Sequence, residues 1–235
     1  LLSILVSCTA SEGPKHLQQP DLIPNIVSVR LEKNVYAEIL PEVELLAGVL
    51  SHTSWMEKEG PEGKGNQYFQ EIKIFFEPYK AHRAFKIAQS LNQVGFSYDA
   101  PPNFILQLSK LPKLERPVEY SADIIQRAKR ERILEQYRVA LKDLANRSRF
   151  IEFYNKHSSD YQRWLMQSID GFPAKDISKW MENYFGVTNV EFHMVFTPAM
   201  FPSGGYGGMS KDEVGKKVVY EIRLADEDGE GEPSF

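Results

Sequence analysis

The feature that most constrains this chain is where its hydrophobic period changes. From Pro41 to Phe185 apolar residues recur at three- and four-residue intervals, broken repeatedly by proline and glycine, whereas the flanking segments alternate residue by residue. The first spacing lines up one side of a helix and the second one face of a strand. Asn25 to Glu32 (NIVSVRLE) alternates and predicts a strand, as do Val190 to Thr197 (VEFHMVFT) and Lys217 to Leu224 (KVVYEIRL). One N-terminal strand, about seven helices and a short C-terminal β-hairpin or pair of edge strands predict an α+β, predominantly α-helical domain over residues 25–225. Nothing repeats as βαβ units would.

Local signals place the helices. Pro41 to Leu50 carries proline early and acids in its first turn, both favourable at a helix N-terminus. WMEKEGPEGKG (Trp55 to Gly65) reads as a charged loop, after which Asn66 can cap a helix with Tyr68, Phe69, Ile72, Phe75 and Phe76 on one face, ended by Pro78. Further helices are predicted from Ala81 to Val94, stopped by Gly95, and around Phe104, Ile105 and Leu108. Ser121 to Asn146 predicts one long helix, with the basic run RAKRER (Arg127 to Arg132) as a solvated face. Phe150 to Leu165 continues at helical spacing with a break at Ser158-Ser159, and Lys175 to Phe185 ends at Gly186. A division near residue 116 is compatible with the prolines there.

Cys8 is the single cysteine of 235 residues, which rules out an internal disulfide framework and a thiolate zinc cluster. It ends Leu5-Val6-Ser7-Cys8, which resembles a bacterial lipobox behind the apolar end of a signal sequence. The polar, proline-bearing TASEGPKHLQQPDLIP that follows reads as a flexible tether. Residues 1–24 are therefore expected to be a signal-peptide remnant, a lipidation site at Cys8 and a tether. They would place the domain at the bacterial cell envelope, periplasmic or surface-exposed, held to the membrane by an N-terminal lipid anchor. The acidic ending, residues 226–235, is expected to be a disordered tail. A net charge of −4 argues against a nucleic-acid partner.

Catalytic motifs are missing. His16, His52, His82, His157 and His193 include no pair one helical turn apart, and no HExxH occurs. His157 with Asp160, and Glu191 with His193, share a face, an arrangement more common for structural histidines than for metal ligands. There is no Gly-x-Ser-x-Gly elbow and no phosphate loop. The aromatic residues from Phe150 to Trp164 have core spacing, although a sugar-stacking cleft would use the same residue types. Gly204, Gly205, Tyr206, Gly207 and Gly208 form the stretch most open to function. Backbone so bare admits close approach of an extended peptide, and equally suits a plain hairpin connection.

Three stretches together resemble a family of uncharacterised exported bacterial proteins with a zincin-like metallopeptidase domain. They are LPEVELL (Leu40 to Leu46) with Tyr68, FFEPYKAH (Phe75 to His82) and GFSYDA (Gly95 to Ala100); FIEFYNKH (Phe150 to His157) with Tyr161; and WMENYFG (Trp180 to Gly186) leading to Gly204–Gly208. The similarity spans roughly residues 26–224, with Pro41-Glu42 standing where the family more often has Pro-Arg. The resemblance implies that the glycine segment borders a cleft and aligns the backbone of a peptide or protein substrate. It also implies that zinc is held by an HExxH helix expected past Phe235. No catalytic or metal residue is carried onto these positions, and no cofactor is expected within them. The alternative is a surface-anchored peptide- or glycan-binding protein without chemistry.

Overall fold

A computed structural model describes residues 22–54, 65–170, 172, 176–200, 204–211 and 217–235. Cys8, most of the tether and most of the charged loop from Trp55 lie outside the described residues. Strand β1 (Val27–Glu32) turns back into β2 (Val35–Ile39), and Pro41 opens α1 (Pro41–Leu50) directly behind it. There follow α2 (Gln67–Phe76), a short 3₁₀ turn (Glu77–Tyr79), α3 (Arg83–Gln93), α4 (Ala100–Ile105), α5 (Ala122–Ala128), α6 (Glu131–Ser148), α7 (Phe150–Lys156), α8 (Ser158–Ile169) and α9 (Ile177–Phe185). The chain closes with β3 (Glu191–Thr197), β4 (Gly204–Lys211), β5 (Lys217–Leu224) and two-residue strands β6 (Asp226–Glu227) and β7 (Pro233–Ser234).

The sheet corrects the expected strand placement. It has five strands in the order β1-β2-β3-β5-β4, not a lone N-terminal strand and a C-terminal hairpin. β2, β3 and β5 run parallel, while β1 and β4 are antiparallel edges. β2 went unread because it is buried on both sides. Val35, Ala37 and Ile39 face one way, Glu38 the other is equally covered, and the alternation that marks a half-buried strand disappears. The glycine stretch is itself a strand, formed because β5 supplies a full row of partners from Gly204↔Leu224 to Lys211↔Lys217.

Helical expectations hold more closely. Asn66 caps α2, accepting from the Phe69 N–H at 2.8 Å, and its amide also donates to the Pro198 carbonyl at 2.8 Å. The break at Ser158 falls at His157, between α7 and α8. The long helix from Ser121 is instead two, because Lys129 takes a left-handed φ of 67° and Arg130 is extended. RAKRER therefore spans a corner and not one helix face. Its Arg127 binds Asp99 at 2.7 Å and donates to the Ser97 carbonyl at 2.6 Å.

The two sheet faces are covered differently. α1 lies over the face bearing Thr197 and is buried at every residue. α9 covers the other face, where Phe185 stacks on Phe192. The Glu32 carboxylate accepts from the Ile177 and Ser178 N–H groups at 3.0 and 2.9 Å, capping α9 from the end of β1. The aromatic residues of α7 and α8 are core, as their spacing suggests: Tyr154 and Tyr161 are fully buried, and the Tyr154 hydroxyl donates to the Ile39 carbonyl at 2.6 Å.

Residues 226–235, expected to be a mobile tail, instead fold back as β6 and β7. Glu232 accepts from the Trp164 indole at 2.7 Å and from Arg163 at 3.1 Å, and Phe235 meets Phe196 edge to face. These contacts hold an acidic segment that its composition alone would leave in water.

Gly48, in the middle of α1, faces the Phe76 ring so closely that a Cβ would lie 2.3 Å from its Cε2 atom. Alanine normally favours a helix over glycine by about 1 kcal/mol. Here the clash reverses the sign, and Gly48→Ala is expected to destabilise the protein by about 1–3 kcal/mol, measured as a lower urea midpoint at unchanged slope.

Candidate functional site

The sheet face under α1 carries a polar row across its strands. Register places Tyr36 beside His193, His193 beside Tyr220, and Tyr220 beside Gly208. Their rings touch in sequence, Tyr36 to His193 at 5.0 Å and His193 to Tyr220 at 5.3 Å. The row ends at Gly208 on the edge strand, where a Cβ would fall 2.1 Å from the Oδ1 atom of Asn103 on α4, so a larger residue would require the Asn103 side chain to turn away.

Glu38, two residues along β2 from Tyr36, holds the imidazole in place. Its Oε1 lies 2.6 Å from His193 Nδ1, and Glu191 stands 3.5 Å from Nε2. Burial alone would raise the Glu38 pKa. The His193 hydrogen bond, the Lys110 ammonium 4.0 Å away and a bond from Ser28 outweigh it, leaving the carboxyl below its usual range. The expected pairing of Glu191 with His193 is present, but the stronger partner, Glu38, was not legible at a separation of 155 residues. His157 sits 3.5 Å from both Asp160 and Glu71, buried among aromatic rings. Among the described residues no group of three His, Cys, Asp or Glu side chains is arranged to hold an ion.

Two further acids enter from α1. Glu42 and Glu44 are 3% and 0% exposed. Glu44 Oε1 accepts from the Thr197 hydroxyl at 2.6 Å, while Oε2 of each carboxyl has no hydrogen-bond partner. Burial dominates both. It pushes Glu42 up to about 7 against the pull of Lys110 and backbone N–H groups, and Glu44 up to about 8 against its hydrogen bonds. Sequence reasoning assigned these acids to the first-turn dipole. The missed signal is that every other residue of PEVELLAGVL is apolar, and a helix apolar all round is buried all round.

Glu42 forms part of the wall of a cavity of about 400 Å³. Leu106, Leu108, Leu111, Pro112 and Pro117 supply its apolar surface, and Lys110, Lys113, Ser210, Lys211 and Tyr220 its polar one. A second cavity of about 370 Å³ shares Ser210 and Lys211 and extends toward Gln107, Ser121 and Lys217. Both reach the Lys211 end of β4. The site thus sets a fixed carboxylate, Glu38, near an acid able to carry its proton at neutral pH, Glu42, and such opposed environments separate acid from base roles.

The anticipated residues precede the part of β4 that lines the cavities, which is Met209, Ser210 and Lys211. Gly204, Gly205, Tyr206, Gly207 and Gly208 occupy the first five positions of β4, with Gly204 at a φ of 153°. Tyr206 leans into the core, and Gly205 and Gly207 are exposed on the opposite face. Comparison of the chain with known protein families, with curated proteins and with solved structures finds no match.

The raised acids set a pH dependence. Below about 4.5 both are protonated folded or unfolded, and their contribution is fully present. As pH rises toward 7 for Glu42 and 8 for Glu44 the unfolded chain releases protons that the folded one retains, so stability falls. Each should contribute a loss on the order of 1 kcal/mol per pH unit in that window. Denaturation midpoints from pH 5 to 8 are expected to decline, and Glu42→Gln and Glu44→Gln should each flatten the decline.

Proposed function

We propose that this chain is the peptide-aligning, non-catalytic portion of a zincin-like metallopeptidase, exported and held at the bacterial envelope through a lipid on Cys8. The observation that carries the reading is β4. It is an antiparallel edge strand, paired on one side with β5 and with no strand beside it on the other among the described residues. An open edge presents backbone N–H and C=O groups that an extended peptide can pair with. Four glycines in five positions leave that approach clear of side chains, and the cavities at the Lys211 end offer apolar surface for a peptide side chain.

The described residues provide no donor set that fits zinc, so no chemical step is routed through a metal here. In this reading hydrolysis belongs to a separate HExxH helix, and these residues bind and orient. The alternative of a glycan-binding surface protein is favoured by one observation: Trp180 and Tyr184 are 61% and 71% exposed and stack at 5.4 Å, and such bare rings suit sugar faces.

Presented with a library of extended ten-residue peptides, the protein is expected to retain a subset and to slow amide hydrogen exchange across residues 204–211. Methylating alternate backbone nitrogens of a retained peptide should weaken it at least tenfold. Binding indifferent to methylation, or protection confined to the Trp180–Tyr184 surface, would remove the edge-strand reading. Separately, labelled palmitate should enter the precursor in cells and vanish in Cys8→Ser; persistent label would end the anchor proposal.

A further inference from the structure

The cavity beside β4 has a chemistry more specific than backbone pairing requires. Its walls are leucine and proline, yet three ammonium groups, Lys110, Lys113 and Lys211, stand around it, and one buried carboxyl oxygen, Glu42 Oε2, has no partner. A cavity with an apolar body and a cationic rim suits a ligand with an apolar body and one anionic group. We propose that this cavity binds a free carboxylate carried on an apolar residue, the lysines meeting the charge, and Leu108 and Leu111 meeting the side chain. The carboxylate site stands on its own geometry; assigning its source to the C-terminus of a peptide lying along β4 rests on the function proposed above.

The charges decide between an anion and a cation. Three lysines oppose an amine, and Glu38, the other deep carboxylate, is already matched by His193 and by Lys110 at 4.0 Å. Glu42 would repel a carboxylate only if ionised. Burial pushes it up to about 7, so a large share is uncharged at neutral pH and does not repel an anion. Tyr220 and Ser210, which also line the cavity, add hydroxyls on the β4 side. Charge-assisted hydrogen bonds of this kind are roughly twice as strong as neutral ones, which makes the carboxylate the recognised group and the apolar body its support.

The probes are N-acetyl-leucine and N-acetyl-leucinamide, which differ only in the ionised carboxylate, each titrated into the full chain by calorimetry and ligand-detected NMR. The acid is expected to bind at least tenfold more tightly than the amide. Lys113→Ala, at an exposed lysine, should weaken the acid several-fold while leaving the amide and the melting temperature unchanged, whereas Lys110→Ala should weaken the acid and also lower the melting temperature, because it removes an ammonium 4.0 Å from buried Glu38. Equal affinity for acid and amide, or no binding of either, overturns the site.

A second arm separates the sources. Peptides protecting residues 204–211 are compared as free acids and as C-terminal amides. A tenfold preference for the free acid places a peptide C-terminus in the cavity. Equal binding of the two leaves the edge-strand reading standing and overturns the peptide assignment. Binding of N-acetyl-leucine with no peptide protection overturns the edge-strand reading and gives the cavity to a small free carboxylic acid.

Discussion

Ten consecutive residues, Pro41–Leu50, are withdrawn from water, and the rest of the molecule is arranged to make that possible. A helix buried on all sides needs neighbours on all sides. α1 has contacts with α2, α3, α4, α6, α7 and β3. Its ends are closed locally: Pro41 sits where a missing N–H costs nothing, and the Ser51 and Thr53 hydroxyls donate to the Gly48 and Leu50 carbonyls at 2.8 Å. Gly48 has no side chain because Phe76 already fills the space. The two acids in its first turn are the exception to an otherwise apolar cylinder, and one of them, Glu42, reaches the cavity wall.

The helices were legible because each buries one stripe against a shared core, so that spacing and caps such as Asn66 speak for themselves. The sheet was less so. In β2, Val35-Tyr-Ala-Glu-Ile39 lost its alternation when both sides were covered. β4 has almost no side chains with which to show a strand preference and owes its form to the row of partners on β5. The corner at Lys129 had no glycine or proline to announce it; Arg127, held by Asp99 and the Ser97 carbonyl, lies beside the turn. Where local preference and tertiary pairing disagree, pairing prevails.

The candidate site divides in the same way. The face shared by Glu191 and His193 follows from a period of two, and the exposure of the glycine segment follows from composition. Glu38, Glu42 and Lys110 come from a strand, a helix and the segment after α4, and only folding brings them near one another. Their opposed electrostatics follow from partners: Glu38 has a histidine, a lysine and a serine, whereas Glu42 Oε2 has none.

Glu44 adds a kinetic consequence. Its carboxyl is fully buried between α1 and the end of β3, with Thr197 bonded to one oxygen and no hydrogen-bond partner at the other. A proton reaches or leaves such a group only when the surrounding packing separates, so its exchange rate is set by the frequency of those opening events and not by diffusion of hydronium. After an abrupt change of acidity the surface re-equilibrates at once while this position lags behind, and for that interval the molecule retains the ionisation state of the medium it has left.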